Sequence, residues 1–376
     1  MGDLRLSAKP SLKVLIAGGG TGGHFFSGVA VGEAFRARGS GNEIVYVGTK
    51  HGIEARVGPE QGLDVRFIGV AALRGKGLVS KIKAVLRLPL ALMQSMALIA
   101  RERPRIVMGV GGYASGPVVL AARLMGRKTG IVEQNSVAGK TNKILGRFVH
   151  RVFVAFEEAR SEFPEHKVHV TGNPIRERVV ELLTLESTGT VGVGDRFKVL
   201  VVGGSQGARA VNEAFMEAST CLAPGLKEKL HVVHQTGVAD VERVRAAYEA
   251  AEVSAQVEPF INEMAEAYRS ADLVVCRAGA LTISELTISR RGSVLIPYPH
   301  AVDDHQRVNA QALVEAGGGE MILQKDLTGQ SLAETLERLG KDRRGLQMMA
   351  WKAGELAKPQ AATEVVDEMY RLAGVP

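Results

Sequence analysis

Cysteine is nearly missing from this chain. Cys221 and Cys276 are the two among 376 residues, far apart, one in a helix-like and one in a strand-like context. That excludes a disulfide framework and leaves packing in a reducing compartment as their expected role. Long apolar runs are missing as well. The longest, Leu88 to Ala100, is interrupted by Pro89, Gln94 and Ser95 and is too short to span a bilayer. The first ten residues hold no signal-peptide core, and Leu6 breaks the myristoylation pattern that Met1-Gly2 opens. A cytoplasmic protein is expected. Aromatics are only 5%, and acid is not in excess: the formal net charge is +7, with a local concentration of Lys and Arg in 74–105. That distribution favours anionic small molecules or an anionic membrane surface, and disfavours nucleic acid.

What the chain has in quantity is glycine, 44 residues, within a hydrophobic content of 45%, and its length allows two α/β domains. Lys13 to Ala17 reads as a buried parallel strand. Gly18-Gly19-Gly20-Thr21-Gly22-Gly23-His24 follows at once, five glycines in seven positions. Ser27 is a plausible N-cap for a helix over Val29–Arg38. Strand, glycine loop and helix together aim backbone N–H groups at an anion, and glycine lets a phosphate or sugar approach the main chain. Gly18, Gly20 and Gly23 satisfy the G-x-G-x-x-G dinucleotide fingerprint, but no acid closes the second strand, which runs from Glu43 into Gly48-Thr49-Lys50.

Strands are expected at 13–17, 43–47, 64–68, 105–108, 130–133 and 151–154, alternating with helices as in a parallel sheet covered on both faces. The pattern restarts at Lys198–Val202, followed by Gly203-Gly204-Ser205-Gln206-Gly207-Ala208 and a helix from Arg209 to Ser219. Further strands are expected near 230–234, 256–259, 272–276 and 293–296. The fold class is therefore α/β, with two doubly wound Rossmann-like domains, each with a ligand face at its strand C-termini. The boundary falls at the turn Thr171–Pro174, and 184–197 reads as a surface loop. Helices are expected at 344–357 and 360–373 around Pro359, the last crossing back onto the first domain. The domains are then 1–174 with 359–376, and 175–358.

Residues 69–101 differ from the rest. Arg74 and Lys76 lie in a loop, and Lys81, Lys83 and Arg87 alternate with Ile82, Val85, Leu86 and Leu88. This basic amphipathic stretch is read as a face for an anionic membrane surface; the alternative is a helix with a core face and a solvated basic face.

Gly109–Pro117 forms a second anion-friendly loop, with Pro117 placed as a first-position helix proline. Glu133-Gln134-Asn135 ends the next strand, so three polar strand ends converge. Gly139-Lys140-Thr141 fails as a Walker A loop because Gln134 stands where glycine is needed. In the second half, Arg277-Ala278-Gly279-Ala280 turns tightly into a helix whose N-terminus suits a diphosphate, and Glu285 one turn on suits a ribose diol. Dipole compensation is the plainer account of that acid. Asp303 or Asp304 is expected to cap the helix holding His305 and Gln306; capping explains those acids better than a metal site does.

Gly19–His24, Gly111–Pro117, Glu133–Asn135, Gly172–Arg176, Gly203–Ala208, Arg277–Glu285 and Asp304–Gln306 together resemble one family, in order and over nearly the whole chain. It is the bacterial undecaprenyldiphospho-muramoylpentapeptide β-N-acetylglucosaminyltransferases of peptidoglycan precursor synthesis. The resemblance implies a GT-B fold, two domains facing across a cleft, with UDP-N-acetylglucosamine as donor and lipid I as acceptor. It implies no cofactor and no metal, and a peripheral place on the cytoplasmic face of the cell membrane. Carried over by position, donor contacts are Thr21, Gly22, Gly23, Asn135, Arg176, Ser205, Ile261, Ala280, Leu281, Thr282, Ile283, Ser284, Glu285 and Gln306. The acceptor diphosphate is expected at Gly19, Gly20, Gly111, Gly112, Tyr113 and Ser115. Ile261 is chosen by the resemblance alone. Two departures stand beside the site: Arg290-Arg291-Gly292 replaces the usual Gly-x-Pro, and Lys140 replaces an apolar residue after Gly139.

The implied reaction is inverting. It needs a base for the acceptor hydroxyl and stabilisation of leaving UDP, the latter from helix N-termini and basic loops. His24 is the first candidate base, since a helix N-terminus disfavours its imidazolium form. Hydrogen bonding to the acceptor diphosphate is the other role open to it. Competing readings are a nucleotide-sugar 2-epimerase or another GT-B transferase, and a non-enzymatic nucleotide-binding protein.

Overall fold

The computed structural model describes residues 11–69, 78–184, 196–204 and 207–375, with the side chains of 78–87 excluded. The chain divides into two compact units, residues 1–177 with 359–376, and residues 178–358.

The first unit is a seven-stranded sheet: β1 (Lys13–Ala17), β2 (Glu43–Gly48), β3 (Val65–Phe67), β4 (Ile106–Gly109), β5 (Lys128–Glu133), β6 (Arg151–Val154) and β7 (Val168–Val170). Their order is β3-β2-β1-β4-β5-β6-β7, every pair parallel. The winding reverses between β1 and β4, whose C-terminal ends Ala17 and Gly109 pair directly. A doubly wound sheet opens its ligand crevice at that reversal. Val14, Leu15, Ile16 and Ala17 are all buried, as a strand covered on both faces requires. Val14 and Ile16 pack with Phe25, Val29 and Met369, and Leu15 and Ala17 pack with Ile99, Val118 and Val119 on the opposite face.

The helix Ala361–Ala373 packs on this sheet. Asn42 donates to the Tyr370 hydroxyl at 2.6 Å, Arg105 to the Ala373 carbonyl at 2.7 Å, and Arg151 to Glu368 at 2.6 Å. Burial opposes ionisation of Glu368, yet the Arg151 hydrogen bond and the nearby His169, Arg151 and Arg371 hold its carboxyl below the usual range.

The second unit repeats the plan with β8 (Phe197–Val202), β9 (Leu230–Gln235), β10 (Ser254–Glu258), β11 (Leu273–Cys276), β12 (Gly292–Leu295) and β13 (Gly319–Met321). The order is β10-β9-β8-β11-β12-β13, again all parallel, so the reversal lies between β8 and β11.

Several expectations are corrected. β7 and β13 are three-residue edge strands, too short to show a period. The first helix runs from Gly22 to Arg38, with Thr21 at its N-cap position and Ser27 buried inside it. Its opening residues are poor helix formers, and packing of Phe25 and Val29 on the sheet outweighs their propensity. Pro117 is the third residue of the helix Ser115–Leu124, still in the first turn, where the N–H it lacks would have no intrahelical acceptor. Cys276 is buried, but Cys221 is exposed at a helix end.

The helix Leu78–Glu102 runs unbroken through Pro89. Ala91, Ser95 and Ile99 form its buried edge, whereas Leu88, Leu90, Met93 and Met96 are exposed. Arg74 and Lys76, and the side chains of Lys81, Lys83 and Arg87, lie outside the described residues. No helix among the described residues is long and apolar enough to cross a membrane.

Candidate functional site

In the first unit the two glycine loops lock together backbone to backbone at the β1/β4 reversal. Gly19 N–H donates to the Gly111 carbonyl at 3.3 Å. Gly112 has φ +79°, and a Cβ there would stand 2.2 Å from the Gly19 carbonyl oxygen. Gly111, at φ +87°, carries the His24 ring against its Cα: an added Cβ would lie 2.6 Å from Cδ2 and 2.8 Å from Nε2. Glycine is thus required at both positions by conformation and by space. His24 sits in the first turn of its helix, Nδ1 3.1 Å from Thr21 Oγ1.

Not every amide of the first loop faces a ligand. Gly18 N–H donates to the Val47 carbonyl at 3.0 Å, and Gly20 N–H donates to Glu54 Oε2 at 2.8 Å. Gly18, Gly19 and Gly20 are therefore committed to holding the loop. Gly22 and Gly23 carry first-turn N–H groups, which have no helical acceptor.

Glu54 is a residue that sequence reasoning missed. It is 2% exposed, and its Oε1 also accepts from the Thr49 amide and hydroxyl at 2.8 and 3.1 Å. Cβ atoms at Gly19, Gly48 or Gly52 would collide with this carboxylate. The acid missing from the end of β2 in the sequence is thus supplied six residues later, turned inward as a brace between two loops. Three glycines around one acid were the available signal.

The second loop shows a similar division of labour. Ser115 is fully buried with its hydroxyl against Gly109, so that group is not offered to a diphosphate, while Tyr113 is exposed. Glu133 and Gln134 also turn inward. Glu133 accepts from the Asn135 and Gly139 amides at 3.1 and 3.0 Å and from Asn142 Nδ2 at 2.9 Å, and Gln134 donates to the Val110 carbonyl at 3.0 Å. Of Glu133, Gln134 and Asn135 only Asn135 is partly exposed. Lys140 is exposed. Arg176 rests its guanidinium over the Phe26 ring, 5.1 Å from the centroid.

In the second unit the loop after β8 turns on Gly204 and Gly207, at φ +93° and +75°; Ser205 lies outside the described residues. Gln235, at the end of β9 and only 2% exposed, is a second missed residue. Its amide donates to the Gly204 carbonyl at 3.0 Å and accepts from Ile261 N–H at 2.8 Å, so one side chain fixes both segments.

After β11, Gly279 is the N-cap of the helix Ala280–Ile288. Leu281 and Thr282 hold first-turn amides, Ile283 is buried in the core, and the Ser284 hydroxyl is turned back to the Ala280 carbonyl at 3.1 Å. Glu285 is partly exposed and accepts the Tyr268 hydroxyl at 3.1 Å. Arg277 donates to the Ile296 carbonyl at 3.1 Å and to Gln324 at 2.7 Å, and lies over the Tyr298 ring. Burial holds its pKa below the usual arginine value. Gln306 accepts from Tyr298 N–H at 2.9 Å, which aims its amide nitrogen away as a donor. Asp304 occupies the cap position before His305 in a left-handed conformation, but its carboxylate pairs with Arg307 and does not cap.

The chain matches the glycosyltransferase family 28 N-terminal domain over residues 14–154 and the family 28 C-terminal domain over 198–365. The UDP-N-acetylglucosamine--N-acetylmuramyl-(pentapeptide) pyrophosphoryl-undecaprenol N-acetylglucosamine transferase of Myxococcus xanthus is 51% identical over 95% of this chain and 92% of its own length. The protein of the same name from Syntrophus aciditrophicus is 48% identical over 95% of this chain and 98% of its own. The crystal structure of Acinetobacter baumannii MurG superposes with a TM-score of 0.79 at 34% identity, covering 96% of this chain and 99% of that one. Two parallel switch-point sheets opening on glycine loops, and this degree of identity over nearly the whole length, make the chain a member of glycosyltransferase family 28, within its family of muramyl-pentapeptide pyrophosphoryl-undecaprenol N-acetylglucosamine transferases.

Proposed function

We propose that this chain moves N-acetylglucosamine from UDP-N-acetylglucosamine to the 4-hydroxyl of undecaprenyl-diphospho-N-acetylmuramoyl-pentapeptide, releasing UDP and leaving a β1→4-linked disaccharide on the lipid carrier. Near-full-length identity to transferases of that name carries the reading.

The second unit takes the donor. Amides at the start of the Ala280–Ile288 helix and the Gly203–Gly207 loop, with Ser205, hold the diphosphate, and the helix dipole favours the charge that builds on leaving UDP. Glu285 accepts from the ribose hydroxyls. Ile261 edges the uracil through its carbonyl, since its N–H is used by Gln235. Gln306 donates from its amide nitrogen to the sugar.

The first unit takes the acceptor, its diphosphate at the Gly22–Gly23 helix start and the Gly111–Tyr113 loop. The acceptor oxygen bonds to the anomeric carbon as the bond from that carbon to the diphosphate oxygen breaks. UDP leaves with the electron pair and the hydroxyl proton passes to His24. For Nε2 to take that proton, Nδ1 must carry the hydrogen and donate it to Thr21 Oγ1, 3.1 Å away. Thr21 then selects the tautomer.

The acceptor is a lipid, and the exposed apolar stripe Leu88, Leu90, Met93 and Met96 follows a helix start bearing Lys81, Lys83 and Arg87. We assign this face to an anionic membrane surface, with the protein peripheral on its cytoplasmic side.

The test is radiolabelled UDP-N-acetylglucosamine with a lipid I analogue. Label should move into lipid-linked disaccharide, and His24→Ala should abolish transfer while leaving donor binding intact. Donor hydrolysed or epimerised in the absence of acceptor, with no disaccharide, would instead support an epimerase.

A further inference from the structure

We propose that Tyr268 is a positioning residue for the Glu285 carboxylate, and that Arg291 holds Tyr268 in place to do it. The inference rests on the assignment of Glu285 to the donor ribose.

Tyr268 lies in the helix Met264–Ser270 and is 2% exposed. Its hydroxyl donates to Glu285 Oε2 at 3.1 Å, linking that helix to the one that opens toward the donor. A carboxylate that must accept from two vicinal hydroxyls works best with its plane fixed beforehand. Otherwise donor binding also has to freeze a flexible glutamate side chain. The bond from Tyr268 takes up one of about four lone-pair sites that a carboxylate offers.

Tyr268 is fixed in turn by the segment Arg290-Arg291-Gly292. The Arg291 guanidinium donates from Nε to the Tyr268 carbonyl and from a terminal nitrogen to the Arg269 carbonyl, both at 2.8 Å. These carbonyls belong to the last turn of the helix; that of Tyr268 also accepts from Ala271 N–H at 3.3 Å, and the guanidinium fork completes the cap. Arg291 is 5% exposed, and burial lowers its pKa from the ordinary arginine value. Arg290, before it, holds φ +50°, the conformation a glycine there would adopt without cost. Arg290-Arg291-Gly292 therefore makes the turn and places a buried fork that steadies Tyr268.

The test uses the full-length enzyme with UDP-N-acetylglucosamine and its 2′-deoxyuridine analogue. Tyr268→Phe keeps the ring and removes the hydroxyl. It should raise KM for the natural donor about five- to ten-fold, leave kcat within about two-fold, and shrink the preference for the ribose donor by a similar factor. Arg291→Lys should shift KM in the same direction by less, and equilibrium dialysis with UDP alone should show the same order without turnover. If Tyr268→Phe keeps wild-type KM and preference while Glu285→Gln loses both, the positioning role is overturned. If Glu285→Gln also keeps the preference, the ribose assignment falls and the positioning role with it.

Discussion

Acid should weaken the second unit through one side chain that never meets solvent. His234 lies on β9 and is fully buried, Nδ1 2.9 Å from the Tyr248 hydroxyl and Nε2 3.1 Å from Asn212 Oδ1. Asn212 donates its amide hydrogens to the Thr236 carbonyl at 3.0 Å and to Asp240 at 2.8 Å. Its oxygen must therefore face the ring, so Nε2 carries the hydrogen and Nδ1 accepts from Tyr248. The neutral ring is satisfied at both nitrogens; a second proton would bury a charge. Burial pushes the His234 pKa down to about 3, opposed only in part by Asp240. A folded pKa below the unfolded value of roughly 6.5 means that this contribution is whole above pH 6.5 and is lost as the pH falls toward 3. One proton gives a slope of about 1.4 kcal/mol per pH unit, hence about 2 kcal/mol lost by pH 5. Trp351, the single tryptophan, lies in the same unit, so its fluorescence in urea follows that unit's unfolding. His234→Gln should be less stable than wild type at pH 7.5, and the gap should close by about 2 kcal/mol at pH 5. Parallel stability curves for the two proteins would refute the reasoning.

Gly111→Ala should cost about 2–4 kcal/mol and at least ~10-fold in transfer rate, because the methyl group enters the His24 ring at φ +87°; unfolding curves and initial rates check both. Glu54→Ala should strip the brace from the Gly20 and Thr49 amides, costing about 2–4 kcal/mol in urea unfolding, with Glu54→Gln recovering part of it. Arg290→Gly should stabilise the second unit by about 1 kcal/mol, read from the same Trp351 signal, by relieving a left-handed arginine. Replacing Lys81, Lys83 and Arg87 together with Glu should release the protein from vesicles containing phosphatidylglycerol in a flotation assay, and unchanged binding would discredit that face.

The sheets were legible because parallel strands buried on both faces leave unbroken apolar runs such as Val14–Ala17 and Val199–Val202. The glycine loops were legible because positive φ leaves few substitutes at Gly111, Gly112, Gly204 and Gly207, with backbone contact adding to it at Gly112 and Gly207. What escaped was direction. Glu133-Gln134-Asn135 read as a strand end facing the crevice, yet Glu133 and Gln134 brace their own loop, and Ser115 turns its hydroxyl into the sheet. No local pattern tells an inward polar side chain from an outward one at a strand end, because the difference depends on which distant amide needs a partner.

By itself the sequence determined the two parallel sheets, the glycine turns at their openings and the family, since these follow from local period, backbone conformation and motif order. Only the tertiary structure decided which amides of the first loop are already used, because Glu54 reaches Gly20 from 34 residues away. It likewise decided that Gln235 joins Gly204 to Ile261, and that Arg291, Tyr268 and Glu285 form one line of support. Each of these is a long-range hydrogen bond to a buried polar group, whose partner is chosen by the packing of the whole sheet and not by its neighbours in the chain.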